Sequence, residues 1–201
     1  MRCHVQREPR EENEVMKLGL IRHGQTDWNV HDRLQGSSDI PLNDFGRQQA
    51  REAVEVLAGG GWDAIVSSPL QRARETAQII AQGLDLELDR SYQELVERDY
   101  GQAEGMETKE WEKLWPHKIG GRIEPLDSVV VRGRQAIEHI AADFPGKNVV
   151  VVCHGTIIRY TLSDLAGYEQ DAVPNGSVAL VDNIEGIWKV HSVNGIPLLG
   201  R

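Results

Sequence analysis

The chain has 201 residues, 40% of them hydrophobic and 26% charged, a balance that supports one full domain with its own core and excludes wholesale disorder. The formal net charge of -9 opposes non-specific attachment to nucleic acid or to an anionic membrane, so an anionic substrate must be held by locally placed arginines. The 2 cysteines, Cys3 in a polar tail and Cys153 in an apolar run, have neither the spacing of a disulfide framework nor that of a zinc site, and a reducing cytoplasmic setting is expected.

Residues 1–15 are rich in Arg and Glu and lack the apolar centre of a secretory leader, so they read as a flexible polar extension to a single domain spanning 16–201. No apolar run approaches the roughly 20 residues that a membrane-spanning helix requires. The first strand, from Leu18 to Ile21, ends abruptly in Arg22-His23-Gly24 and a polar stretch without period. Asn43 then caps a helix with Ala50, Ala53, Val54 and Leu57 on one face, stopped by Gly59-Gly60-Gly61. A short strand from Trp62 to Val66 leads into Ser67-Ser68-Pro69, where Ser68 reads as an N-cap and Pro69 as the first helical residue. Leu70, Ala73, Ala77 and Ile80 form the buried face of that helix, and Arg72 lies near its positive end.

Leu84 to Leu88 alternates as a strand does, and Leu95 to Gly101 is a charged loop. Trp111 and Trp115, four apart, suggest a short helix in a cover segment spanning Met106 to Arg122. Val129 to Phe144 is an amphipathic helix with Ser128 as its cap, broken by Pro145-Gly146. Val149 to Val152 is continuous and β-branched, the pattern of a strand covered on both faces, and it ends in Cys153-His154-Gly155. A helix from Thr156 to Leu165 and a closing hairpin, Val178 to Val181 with Trp188 to Val193, complete the chain. Helices alternating with strands imply a three-layer α/β/α sandwich on a mostly parallel mixed sheet with an antiparallel edge.

Parallel strands place their carboxyl ends on one edge, where ligands of α/β proteins sit, so the two His-Gly junctions are expected to meet there. Their glycines are expected to let the backbone approach a ligand closely. Guanidinium forks suit phosphate oxygens, and a neutral imidazole can attack phosphorus to form a covalent phosphohistidine. A protonated second histidine would steady the equatorial oxygens, and a carboxylic acid from the charged loop would protonate the leaving oxygen.

Leu20-Ile21-Arg22-His23-Gly24-Gln25-Thr26-Asp27-Trp28-Asn29 resembles the signature of the histidine phosphatase superfamily, the phosphoglycerate mutase-like proteins. The similarity continues through Pro41-Leu42-Asn43, Ser67-Ser68-Pro69-Leu70-Gln71-Arg72-Ala73, Leu95-Val96-Glu97 with Gly101 and Glu104-Gly105, and Val151-Val152-Cys153-His154-Gly155. The resemblance implies His23 as nucleophile, Arg22, Arg72 and His154 as the rest of a phosphate pocket with Gly155 beside it, and Glu97 as general acid. It implies Asn29 as a further phosphate contact, with Gln35, Gly36, Arg98 and Tyr100 toward the rest of a small phosphorylated substrate. The spacing to Gly101 selects Glu97 over Glu94, which reads as a solvated carboxylate. No cofactor, metal, nucleic acid or membrane is implied.

Glu97-Arg98-Asp99-Tyr100-Gly101 is similar to the mutase loop, but the following segment lacks the Trp-Arg-Arg and proline-rich insert with which cofactor-dependent mutases close the site. A site open to water loses its phosphoryl group to hydrolysis, which favours a phosphomonoesterase over a mutase. Three rivals stand beside it. Cys153 and Arg159 have the spacing of a cysteine phosphatase loop, although Val152, Thr156 and Tyr160 depart from that signature. His23 and His154 could share a metal, without accompanying carboxylates. A silent phosphate-binding module would be expected to have lost one of His23, Arg72, Glu97 or His154.

Overall fold

The computed structural model describes residues 15–116, 121–193 and 196–197. Seven strands, β1 (Met16–Arg22), β2 (Ala64–Ser67), β3 (Leu88–Ser91), β4 (Val149–Cys153), β5 (Val178–Ile184), β6 (Ile187–Val193) and β7 (Ile196–Pro197), form one sheet in the order β3-β2-β4-β1-β5-β6-β7. The pairings of β3 with β2, β2 with β4 and β4 with β1 are parallel, while β5, β6 and β7 add an antiparallel edge. The helices are α1 (Asp27–Val30), α2 (Asp44–Leu57), α3 (Gln71–Gly83), α4 (Thr108–Leu114), α5 (Leu126–Asp143) and α6 (Gly155–Ala166). Residues 1–14, and with them Cys3 and nearly all of the expected extension, lie outside the described residues, as do residues 117–120 of the expected cover segment.

Side chains alternate across a strand, and this period of two divides the core into two clusters. Leu18, Leu20, Val66, Val149, Val151 and Cys153 pack beneath α5 and α6. Ile21, Ile65, Val150 and Val152 pack against α2 and α3 through Ala53, Leu57, Ala73, Ala77 and Ile80. The central strand β4 is therefore buried on both faces, and each fully buried valine in it stabilises the fold by about 2 kcal/mol. The result is the expected three-layer sandwich.

Local signals hold where the cap is local. Asn43 Oδ1 accepts the Gly46 N–H at 2.8 Å and starts α2 as expected. The start of α3 differs: the helix begins at Gln71, whose N–H reaches Asp39 Oδ1 at 2.6 Å, so a distant loop replaces the expected Ser68 cap. Leu84 to Leu86 is not strand, because Asp85 takes φ 56° and the Leu86 N–H returns to the Ala81 carbonyl at 2.8 Å, closing the end of α3 before β3 begins. Helix α5 starts at Leu126 with Pro125 before it, ahead of the expected Ser128. Thr26 and Asn29 form a capping box around the single turn α1, where no element is expected from the sequence.

Candidate active site

Register explains why the two junctions meet. Arg22 pairs with Cys153 and Ser67 with Val152, so the residues just past β1, β4 and β2 emerge side by side at one sheet edge. The His23 and His154 rings stand 5.1 Å apart between centroids, inclined by 61°. Arg72, fully buried, comes in from the first turn of α3.

A cavity of about 450 Å³ opens here, lined by Arg22, His23, Asn29, Gln35, Gly36, Arg72, Glu97, Arg98, Tyr100 and Gly155 among others. Of the residues singled out from the sequence, His154 alone stands behind this wall, fully buried against the His23 ring. Glu94 is outside it, paired with His139 on the surface at 3.0 Å.

His23 Nδ1 lies 2.7 Å from the Gly24 carbonyl, which can only accept, so Nδ1 carries the proton and Nε2 keeps its lone pair. That lone pair accepts from Arg72 Nε at 3.2 Å. Burial first, then the charges of Arg72 and Arg22, push the His23 pKa well below 6.5, so the imidazole is neutral. Arg72 spends its other nitrogens on the Ser38 and Gly36 carbonyls, each at 2.8 Å, and burial lowers its pKa to about 10. Glu104 ties the same loop down, accepting the Ser37 and Ser38 N–H groups at 2.8 and 2.9 Å. Arg22 donates Nη1 to the Val173 carbonyl at 2.7 Å.

His154 Nε2 sits 2.8 Å from Ser68 Oγ, so the residue expected to cap α3 is built into the site, while the same Oγ accepts the Leu70 N–H just ahead of the helix at 3.4 Å. Burial, then Arg72 and His23, lower the His154 pKa well below 6.5. Burial among these cations favours the neutral ring over the protonated one expected to steady a bound phosphoryl group. Two buried nitrogens, His154 Nδ1 and Arg22 Nε, have no protein partner. Of the two, Arg22 lines the arginine-rich cavity, where a nitrogen of that kind suits an anion that brings its own acceptors.

Glu97 Oε1 accepts the Arg98 N–H at 2.8 Å and Oε2 the Thr156 N–H at 3.1 Å. Tyr100 donates to, or accepts from, Thr156 Oγ1 at 3.0 Å and packs edge-on against Trp111, and burial raises its pKa to about 12. Gln35 Oε1 is buried without a partner. Asn29 Oδ1 serves the capping box and also accepts from Asn175 Nδ2 at 3.3 Å, while the same Nδ2 holds the His23 carbonyl at 3.0 Å. Asn175, Thr156 and Ser68 are the parts that sequence reasoning missed. Pro174-Asn175-Gly176 reads only as a turn, and nothing local ties it to His23.

The glycines at the two junctions also serve packing within the site. A Cβ on Gly24 would collide with the backbone of Gly46, and one on Gly46 with that of Gln25, so the pair lets the His23 loop lie against the first turn of α2. A Cβ on Gly155 would stand 3.1 Å from Arg22 Nε, so that glycine leaves room for the guanidinium.

The rival cysteine is unsuited to attack. Cys153 is buried beneath α5 and α6, burial raises its thiol to about 12, and Arg159 is engaged with the Gln170 carbonyl and Glu169 at 2.7 and 2.6 Å. Among the described residues no group of three or more His, Cys, Asp or Glu is placed to hold a metal ion, and no helix is long and apolar enough to cross a membrane.

Comparison with known proteins agrees with this geometry. The chain is 37% identical over 182 residues to the uncharacterized phosphatase PhoE of Bacillus subtilis, covering 87% of this chain and 92% of that one. It is 36% identical over 165 residues to phosphoglycerate mutase-like protein 4 of Arabidopsis thaliana, covering 74% and 70%. The structure of a mycobacterial glucosyl-3-phosphoglycerate phosphatase complexed with VO3 superposes with a TM-score of 0.81 at 28% identity, covering 89% of this chain and 98% of that one. The model of the histidine phosphatase superfamily (branch 1) matches residues 18–195, nearly the whole described domain, and the chain belongs to that family.

Proposed function

We propose that this chain is a phosphomonoesterase of small phosphorylated metabolites, acting through a phosphohistidine on His23. The observation that carries the proposal is the fixed tautomer of His23: Nδ1–H is committed to the Gly24 carbonyl, which leaves the lone pair on Nε2, where it accepts from Arg72 Nε, on a residue lining a cavity rich in guanidinium groups. Phosphoryl transfer needs little from a protein beyond position and charge, and both are present.

In the first step the Nε2 lone pair forms a bond to phosphorus while the ester P–O bond breaks, its electron pair going to the leaving oxygen. The Glu97 carboxyl gives that oxygen its proton. Arg22 Nε, Arg72, the Asn29 amide and His154 hold the non-bridging oxygens, and a neutral His154 can do so through Nδ1–H when Ser68 donates to Nε2. In the second step water attacks phosphorus, the P–N bond breaks, and Glu97 takes the proton from the water. Gln35, Gly36, Arg98 and Tyr100 face the alcohol portion.

Hydrolysis is favoured over mutase chemistry because a bisphosphorylated cofactor needs positive charge for its second phosphate. The cavity lining counts the carboxylates Asp32 and Glu112 together with Arg33. A single domain in the reducing cytoplasm, with the free Cys153 buried, completes the reading. The test is a rapid quench without acid that looks for phosphate on His23, alongside free-phosphate release from a phosphometabolite panel and a coupled 3-phosphoglycerate to 2-phosphoglycerate assay. Mutase turnover exceeding phosphate release overturns the hydrolase reading, and absence of both phosphoenzyme and turnover overturns the enzyme reading.

A further inference from the structure

The loop carrying Glu97 has little regular structure: a 3-10 turn at Gln93–Leu95, then five residues before the next turn at Gly101–Ala103. Several of its backbone groups converge on one guanidinium. Arg132, in the second turn of α5, donates Nη1 to the Glu94 and Val96 carbonyls at 2.7 and 2.5 Å, and Nη2 reaches the Glu97 carbonyl at 3.5 Å. The other edge of the guanidinium grips Glu124 in a bidentate pair, Nε to Oε1 at 3.0 Å and Nη2 to Oε2 at 2.9 Å. Glu124 holds the far side of the loop: Oε2 accepts the Asp99 N–H at 3.1 Å, and its backbone carbonyl accepts Arg98 Nε at 2.8 Å.

We infer that the Arg132–Glu124 pair is a positioning device for the general acid. Peptide 97–98 is the link. It is a planar unit, so its two polar ends point in opposite directions and turn together. Its carbonyl end faces Arg132, and its N–H end holds Glu97 Oε1 at 2.8 Å. Arg132 thereby sets the direction in which the Glu97 carboxyl is presented, without touching substrate. Both side chains of the pair are only about one-fifth exposed, 20% and 18%, so the clamp is shielded from the screening that weakens surface pairs. A displacement of about 1 Å at a reacting group can cost on the order of 100-fold in rate, so a loose loop is expensive.

The inference rests on Glu97 being the acid, and leaving-group chemistry separates the two claims. A nitrophenolate departs without a proton, whereas an alkoxide requires one. We would measure kcat/KM, which reports phosphoenzyme formation, for p-nitrophenyl phosphate and for glycerol phosphate. The proteins would be wild type, Arg132→Met, Arg132→Lys, Glu124→Gln and Glu97→Gln, each checked for a cooperative melt. Arg132→Lys keeps the charge but loses the fork, and with Glu124→Gln it serves if Arg132→Met does not fold. The expected result is a loss for the alkyl ester at least about tenfold greater than for the aryl ester in the Arg132 and Glu124 variants, with the same bias in Glu97→Gln. Equal losses for both esters in the folded clamp variants, or no loss, overturn the inference while Glu97→Gln keeps its bias. Absence of bias in Glu97→Gln itself overturns the acid assignment and the inference with it.

Discussion

Replacing Ser68 with alanine tests the site at a residue that never touches substrate. Among the described residues Ser68 Oγ is the one hydrogen-bond partner of the His154 ring, at 2.8 Å, and both residues are fully buried. His154 Nδ1 has no protein partner among the described residues, so Ser68→Ala leaves neither ring nitrogen with one. A buried polar group stripped of its partner costs about 1–3 kcal/mol, which in a domain of this size lowers Tm by roughly 2–12 °C. Catalysis should suffer separately, because a Ser68 hydroxyl that donates to Nε2 leaves the Nδ1–H of His154 for the phosphoryl group. Loss of an oxyanion donor outright costs about 100- to 1000-fold, so loss of its orienting partner should fall below that ceiling, at about tenfold in kcat. The assay pairs thermal melts with steady-state hydrolysis of an alkyl phosphate, comparing Ser68→Ala with His154→Ala and the double variant. If the two act as a unit, Ser68→Ala should add little once His154 is gone. A double variant whose losses multiply in full, or a Ser68→Ala enzyme with unaltered kcat, would refute this reasoning.

Stability should also depend on pH through the two neutral histidines. Their folded pKa values lie below the ordinary 6.5, so on acidification the unfolded chain takes up protons first. Stability is therefore full above 6.5 and falls as pH drops below it, by up to about 1.4 kcal/mol per pH unit for each histidine; urea midpoints at several pH values should show a slope that a His23→Asn/His154→Asn variant flattens. Gly24→Ala drives a methyl group into the Gly46 backbone and should destabilise by about 1–3 kcal/mol while displacing His23; an unshifted melt with normal turnover would count against the packing role. Thiol alkylation of the folded protein should leave activity intact, since Cys153 is buried with a pKa near 12, whereas His23→Ala should remove turnover entirely.

Several features were legible residue by residue. Val149 to Val152 needs no context to be recognised as a doubly covered strand, and Asn43 caps α2 with its own side chain. The junction motifs at His23 and His154 placed the site at the right sheet edge because strand direction follows from alternating helices and strands. Arg72 stood out by its place near the positive end of a helix, and Glu97 through the resemblance to the histidine phosphatase signature.

Other features depended on partners far away in sequence. Ser68 looks like a cap until Asp39, from a loop 32 residues before Gln71, takes the Gln71 N–H while the Ser68 hydroxyl reaches His154. Gly24 looks like space for a ligand until Gly46 occupies that space. The charge state of His154 could not be read from its type, because burial and Arg72 decide it. Arg132 carries no local mark at all, being one more arginine on an amphipathic helix 35 residues from Glu97. The sequence by itself determined the sandwich, the two histidine junctions and the chemical class of the site, since these rest on short-range period and on side-chain type. Tertiary structure decided which tautomer, which cap and which clamp, since each is a hydrogen bond between groups that only the folded chain brings within about 3 Å.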